Sequence, residues 1–321
     1  LLYPRHSTRR TFLALSTSAM SAWVLSGCQK TEAPKPVAWN GYVDAHSHVW
    51  TADTVRFPLG SWITPDKMEP PSFTAEQLLE VAAPCGVDRV VIIQHAPYYG
   101  GDNTYLMDCA LRFPGRFSIV AIVDERRDDL ADHLRLLKRA GVRGIRIGPT
   151  RYADRTLVKD PDNWLKAAAM RKLWKLATDQ DWILCPLISA EFLPTLEPML
   201  TEFPDTKIVI DHFGHADAEK PDEIQALLKL ARHRNVHVKA SGFYKFGDRK
   251  APYDDLSPLL RHVTETFGPQ RIMWGSDCPY QIQNDNTYQA AVALIESGLE
   301  FLDAAARMAI LRDTATRLFF N

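Results

Sequence analysis

The chain has 321 residues, 46% of them hydrophobic and 24% charged, enough for one large domain or two small ones around a sizeable core. Lys+Arg 38 against Asp+Glu 39 gives a net charge of -1, with no basic excess to hold a polyanion, so a nucleic-acid-binding role is set aside. Collagen-like, coiled-coil, disordered and polytopic membrane classes are excluded too, since only one marginal N-terminal run approaches the roughly 20 apolar residues of a spanning helix.

At the N-terminus, Ser7 to Leu13 read Ser-Thr-Arg-Arg-Thr-Phe-Leu and lead into a moderately apolar stretch ending at Leu25. Ser16, Thr17, Ser18 and Ser21 interrupt that stretch, which argues against a permanent span. Arg9-Arg10 ahead of Phe12-Leu13 resembles a twin-arginine export signal, and Leu25-Ser26-Gly27-Cys28 resembles a bacterial lipobox. The order of these regions predicts a signal peptide over 1–27, lipidation of Cys28, and a tether over 28–40 loosened by Pro34 and Pro36. The expected location is the bacterial cell envelope, with the exported protein held on the membrane by a lipid anchor. Cys85, Cys109, Cys185 and Cys278 then remain, without a CxxC pair, so no disulfide framework is expected.

From residue 41 onward a short β-branched run, a turn and an amphipathic segment repeat. Strands are expected at Gly41–Trp50, Asp88–Pro97, Arg116–Asp124, Val142–Pro149, Trp182–Ser189, Lys207–His215, Val236–Phe243 and Ile272–Pro279. Helices are expected at Ala75–Ala83, Leu130–Ala140, Trp164–Thr178, Glu223–Arg232 and Leu256–Phe267, with Thr287–Ile295 and Asp303–Phe319 closing the series. Gly86, Gly115 and Gly141 fall where helices should stop. Runs such as Val90-Val91-Ile92-Ile93 are apolar on both faces, as strands covered on both sides are. Eight such units over 41–321 predict a single α/β domain, a (β/α)8 TIM barrel. An open doubly wound sheet would want a Gly-rich phosphate turn after the first strand, and none is present.

A barrel of this kind places chemistry at the C-terminal ends of its strands. The first strand ends Asp44-Ala45-His46-Ser47-His48. Alternation puts Asp44, His46 and His48 on one face, where two imidazoles can hold a divalent ion such as zinc. His212 follows the sixth apolar run, and Asp277 follows the eighth, ahead of Pro279, where it could orient or deprotonate a water. Arg146 on the fourth strand could clamp a carboxylate or polarise a carbonyl through its planar fork, or sit in a salt bridge at the rim. Gln94 and His95 end the second strand, and Lys239 and Tyr244 lie on or just after the seventh; these complete the substrate-binding candidates.

These residues carry a resemblance. His46-x-His48, His212 and Gly275-Ser276-Asp277 look like the amidohydrolase superfamily, and the chain is similar to the amidohydrolase-related group that includes sugar-lactone and pyrone-dicarboxylate lactonases and some decarboxylases. Gly141-Val142-Arg143-Gly144-Ile145-Arg146 and Val238-Lys239-Ala240-Ser241-Gly242 support it. Many metal-dependent members carry a histidine on the fifth strand, whereas Trp182-Ile183-Leu184-Cys185-Pro186-Leu187-Ile188 contains none. The resemblance therefore implies either an ion on His46, His48 and Asp277, with His212 or the Cys185 thiolate as a further ligand, or no ion at all. It implies a hydrolase in which Asp277 and His212 are catalytic and the small-molecule substrate is a lactone or related ester-like carbonyl compound. A carbon-nitrogen hydrolase, a non-oxidative decarboxylase and a non-catalytic ligand-binding lipoprotein are the alternatives. Oligomeric state is not readable from the chain.

Overall fold

Strands that are apolar on both faces need cover on both, and a barrel wrapped in helices supplies it. The structure, a computed structural model, describes residues 39–321 apart from 152, 154, 155 and 158–160. Eight strands follow one another: β1 (Tyr42–Ser47), β2 (Val87–Ile93), β3 (Phe117–Ala121), β4 (Val142–Ile147), β5 (Ile183–Pro186), β6 (Lys207–Ile210), β7 (Val236–Ser241) and β8 (Ile272–Gly275). All pair in parallel and in chain order. The seam between β1 and β8 is tied at the mouth, where His48 N donates to Cys278 O at 2.8 Å and Asp277 N to His46 O at 2.7 Å. A Cβ on Gly275 would lie 2.8 Å from that of His46, so only glycine lets the two strand ends approach this closely. The expected (β/α)8 barrel is the observed fold.

The outer ring runs α1 (Ala75–Ala82), α2 (Thr104–Arg112), α3 (Leu130–Arg139), α4 (Ala168–Asp179), α5 (Glu197–Glu202), α6 (Pro221–Lys229), α7 (Ser257–Phe267), α8 (Tyr288–Ala293), α9 (Ala304–Met308) and α10 (Thr314–Phe319). Thr74 and Gln77 form a reciprocal capping box on α1, and Asp303 caps α9 through Ala306 N at 2.7 Å. Helices α2 and α5 were not expected. In α2 only Tyr105, Leu106 and Cys109 face inward, too sparse an apolar stripe to stand out from its polar neighbours. The single helix expected over Asp303–Phe319 is broken by a wider turn at Ala309–Asp313.

The interior of the barrel holds Val43, Ala45, Val91, Ile93, Val120, Ile183, Cys185, Val209 and Met273, and α10 plugs its base with Ala315, Leu318 and Phe319. Only the mouth is left for ligands. Cys185 thus belongs to the apolar filling, its thiol pushed up to about 12 by burial, and is no thiolate ligand. The four cysteines of the described residues are unbridged.

Two expectations about strand ends fail for one reason: the backbone leaves the sheet earlier than the apolar pattern suggests. Beyond β6, His212, Phe213 and His215 take φ of 50°, 54° and 51°, and beyond β8, Asp277 takes 65°. Left-handed conformations in non-glycine residues are costly and gather at functional sites. Within β1 the pairing register shifts between Asp44 and Ser47. A bulge of this sort re-aims side chains, so the shared face expected for Asp44, His46 and His48 does not exist. Asp44 turns outward to the Tyr288 hydroxyl of α8 at 2.8 Å, and His46 turns inward.

Arg9, Arg10, Cys28, the signal 1–27 and the tether as far as residue 38 lie outside the described residues. Among the described residues no helix is long and apolar enough to cross a membrane.

His237, at the start of β7, is buried beside the Asn235 carbonyl, and burial pulls its imidazole down to about 4. The unfolded chain binds that proton below about pH 6.5 and the folded chain only near pH 4, so stability falls as pH drops through this window, by up to about 3 kcal/mol. Urea titrations from pH 7 to pH 4.5 on the protein and on His237→Gln should show a shallower pH slope in the variant. Parallel slopes would remove His237 from the account.

Candidate active site

His46 is fully buried at the end of β1 among three charged groups. Its Nδ1 faces Asp211 Oδ1 at 3.3 Å, and its Nε2 lies 3.0 Å from Arg146 Nη2. Arg146 and Lys239 can only donate, and Lys239 Nζ lies 3.2 Å from Nδ1; the shorter Arg146 contact favours the lone pair on Nε2, with the proton on Nδ1 beside Asp211. Arg146 Nη2 also reaches Asp211 Oδ2 at 3.0 Å, while Lys239 Nζ meets Asp211 Oδ1 at 2.9 Å. Burial raises the Asp211 carboxyl, but Lys239, His46 and Arg146 outweigh it and hold the group well below the ordinary carboxylate range. His46 itself is held well below its ordinary value, by burial first and then by the Lys239 charge. The result is a neutral imidazole on an ionised carboxylate, neutralised from both sides.

His48 follows β1. Its Nδ1 lies 2.9 Å from the Ile93 carbonyl, which can only accept, so the lone pair is on Nε2. That nitrogen faces Asp277 Oδ1 at 3.4 Å, and His46 Nε2 faces the same oxygen at 3.7 Å. Burial opposes ionisation of Asp277, yet the imidazoles of His212, His48 and His46 hold its carboxyl well below the usual range. The second oxygen, Oδ2, accepts the Tyr244 hydroxyl at 2.7 Å, with Lys245 Nζ at 3.7 Å and His212 Nε2 at 3.8 Å. Ser241 Oγ lies 2.9 Å from His212 Nδ1, and burial lowers that imidazole to about 3.

Three acceptors therefore converge: the Nε2 atoms of His46 and His48 and a carboxylate oxygen of Asp277, all within 4.8 Å of one another. Bonds of roughly 2.0–2.1 Å in a tetrahedron hold donors about 3.3 Å apart, and His48 already sends its other ring nitrogen to a carbonyl as metal ligands do. The donor set fits a divalent ion that takes over the His46 Nε2 lone pair from Arg146, whose Nη2 meets it at 3.0 Å.

The remaining candidates fall in different places. Arg146 borders a narrow cavity with Glu125, Ile147 and Trp164; its Nη2 is spent on His46 and Asp211, and its buried Nε has no hydrogen-bond partner among the described residues. His95 pairs with the Tyr280 hydroxyl at 2.7 Å within an aromatic wall of Trp50, Tyr98 and Tyr280 beside His48. Gln94 is fully buried and donates to the carbonyls of Gly100 and Asp102, which ties down the loop after β2 and turns the amide away from the mouth. Lys239 lies behind His46 with no exposure. Tyr244 spends its hydroxyl on Asp277. Cys185, buried with the interior apolar residues, stays outside the donor cluster.

Sequence reasoning missed several members and misplaced Asp44. Asp211 stands next to His212, but nothing local announces that two distant cations will share it. Asp44 accepts from Ser47 Oγ, Ser276 N, His46 N and Tyr288 Oη, and so knots β1, β8 and α8 directly beneath Asp277. Lys245 and Tyr280 sit in turns without a periodic pattern. Beside Lys245 opens a cavity of about 520 Å³ lined by Ser189, Glu191, His215, Asp217 and Arg249.

Comparison with known proteins agrees with this geometry. The Amidohydrolase sequence profile matches residues 43–320. An L-fucono-1,5-lactonase of Burkholderia ambifaria is 30% identical over 246 residues, 74% of this chain and 80% of that one. A 4-sulfomuconolactone hydrolase of Rhizobium radiobacter is 28% identical over 296 residues, 87% of this chain and 90% of the relative. Among solved structures, a Pseudomonas putida chain assigned as a 2-pyrone-4,6-dicarboxylic acid hydrolase superposes with a TM-score of 0.73 at 26% identity, covering 87% of this chain and 97% of its own. With a barrel whose mouth gathers His46, His48, His212 and Asp277, and a profile match over nearly all of the described residues, the chain belongs to the amidohydrolase family and is a lactonase-like hydrolase.

Proposed function

We propose that the protein opens a lactone by adding water to its carbonyl at the mouth of the barrel, with Asp277 as the proton acceptor. The observation that carries this reading is the split environment of Asp277, whose Oδ1 faces His46 and His48 while Oδ2 faces Tyr244, Lys245 and His212. One oxygen serves the donor cluster and the other accepts the Tyr244 hydroxyl, with Lys245 and His212 beside it. His46, His48 and Asp277 Oδ1 would hold a divalent ion, zinc by the chemistry of two imidazoles and a carboxylate. When bound, such an ion would lower the pKa of water to about 7, which would bring the proton closer to the reach of a carboxylate whose own pKa is depressed.

The chain's own groups do the rest. Asp277 takes the proton of the attacking water. Tyr244, its phenol pushed up by burial and by the neighbouring carboxylate, stays protonated and fixes Oδ2 in position. The unpartnered Nε of Arg146 offers its donor to the oxygen on which negative charge grows during attack. The proton that Asp277 takes from water would pass to the ring oxygen, which leaves as an alcohol, with His212, a neutral imidazole oriented by Ser241 and 3.8 Å from Asp277 Oδ2, beside the transfer. The lactone reading rests on the two curated relatives, whose names specify lactone hydrolysis. The cavity beside Lys245, about 520 Å³ and lined largely by polar groups, has room for a small ring with oxygen substituents.

Two measurements test this. Protein purified without added metal should carry close to one equivalent of divalent ion, and His46→Ala with His48→Ala should carry none. Turnover should appear with five- or six-membered lactones and be absent with matching amides. Metal-free protein of full activity would remove the ion, and amide turnover without lactone turnover would overturn the substrate class.

A further inference from the structure

The face of the barrel opposite the mouth carries charge that the chemistry does not use. Arg143 opens β4 and Lys207 opens β6. Together with Lys138 and Arg317 they line a cavity of about 380 Å³ at the base. Its acid Asp181 is taken by Lys207 at 2.7 Å. Lys138 ends on the backbone carbonyls of Gln180 and Asp181, and Arg317 on that of Gln270. Among the described residues no carboxylate pairs with Lys138, Arg143 or Arg317.

This is not only the usual preference of cations for helix C-termini. That preference accounts for Lys138 and Arg317, each in the last turn of its helix, but Arg143 and Lys207 begin strands. The mouth differs in kind. There the buried cations Arg146 and Lys239 are matched to Asp211, and the cavity beside Lys245 is edged by Glu191, Asp217, Glu219 and Glu223. At the mouth cavity Lys220 is paired with Asp217 and Glu223, whereas at the base Lys138, Arg143 and Arg317 share a cavity without a carboxylate partner among the described residues.

The N-terminal segment joins at the cationic end. Trp39 lies against Gly115 and under the Arg116 guanidinium, and Arg312 donates to the Asn40 carbonyl at 3.4 Å just before β1 begins. The first described residues, Trp39 and Asn40, thus enter the barrel on the same side as these cations. A surface of anionic headgroups is the partner that combines both facts, since each nearby Lys or Arg is attracted to it over a Debye length.

We propose that the base of the barrel, through Lys138, Arg143, Lys207 and Arg317, is a docking surface for an acidic phospholipid bilayer, which leaves the mouth facing away from the membrane. The inference is independent of the lactone reading. The test is flotation of the full chain with phosphatidylcholine vesicles, with and without phosphatidylglycerol, at low and high salt. Phosphatidylglycerol should strengthen binding, and high salt should abolish the gain. The variant Lys138→Gln, Arg143→Gln, Arg317→Gln keeps the Lys207–Asp181 pair. It should lose the gain by about tenfold or more, with binding to phosphatidylcholine and the thermal midpoint unchanged. No phosphatidylglycerol preference in the unmodified chain would overturn the proposal, as would a preference that survives high salt or persists in the folded variant. Saturation by inorganic phosphate without vesicle preference would overturn it too, because it identifies a small-anion site.

Discussion

Replacing Asp277 by asparagine is expected to lower kcat by about 10³-fold or more while leaving the fold intact, since it removes the proton acceptor and the carboxylate charge that would help hold an ion. The amide oxygen can still accept the Tyr244 hydroxyl that the carboxylate accepts at 2.7 Å. The backbone bond from Asp277 N to His46 O at 2.7 Å, which ties the barrel seam, is untouched. The thermal midpoint should therefore move by no more than a few degrees. The comparison with Tyr244→Phe separates roles: that change removes a positioning hydroxyl and should reduce turnover far less. Because neighbouring imidazoles hold the Asp277 carboxyl well below its usual range, it stays ionised through neutral and mildly acidic solution. An acid limb near pH 6 in the unmodified enzyme would belong to another group and should persist in whatever activity the variant keeps. Substantial turnover by Asp277→Asn would relocate the base.

How much of this could be read without coordinates follows from the range of the forces involved. Burial of both strand faces is a local demand, and it leaves continuous apolar runs such as Val90 to Ile93, so the barrel was legible. The convergence of His46, His48, His212 and Asp277 was legible too, because strand ends in a barrel share one mouth whatever their separation along the chain. The bulge between Asp44 and Ser47 was not, since pairing with a neighbour strand, absent from the local pattern, decides it. It sent Asp44 outward to the serines and tyrosine that knot the seam. Nor does a sequence show that His212 and Asp277 leave their strands with positive φ, a strain sustained only by surrounding contacts. The distribution of buried charge was hidden most deeply. Lys239, read from the chain as a substrate contact, becomes interpretable only once Asp211, Arg146 and His46 are seen around it.

That buried charge yields the second large effect. Lys239→Met should destabilise the fold by about 3 kcal/mol, because it takes away the ammonium at 2.9 Å and leaves Asp211 ionised, without exposure, and dependent on Arg146 alone. Methionine fills a similar volume, so the loss reports charge and not a cavity. Removing both members in Lys239→Met, Asp211→Asn should recover part of the stability, since the stranded charge is gone; a double-mutant cycle would read this as a coupling well above the few tenths of a kcal/mol of independent sites. Activity should not follow. In the double variant an uncharged amide replaces the Asp211 carboxylate and can turn either its oxygen or its NH2 toward His46 Nδ1, 3.3 Å away in the native chain, so the tautomer is no longer fixed and the Nε2 lone pair is no longer presented reliably to Asp277 and its ligand. Stability and turnover thus part company in the double variant. If the two recovered together, Asp211 would be only a counter-ion for Lys239; if neither single change affected stability, the pair would be solvated in solution and the buried network at the floor of the site would have to be redrawn.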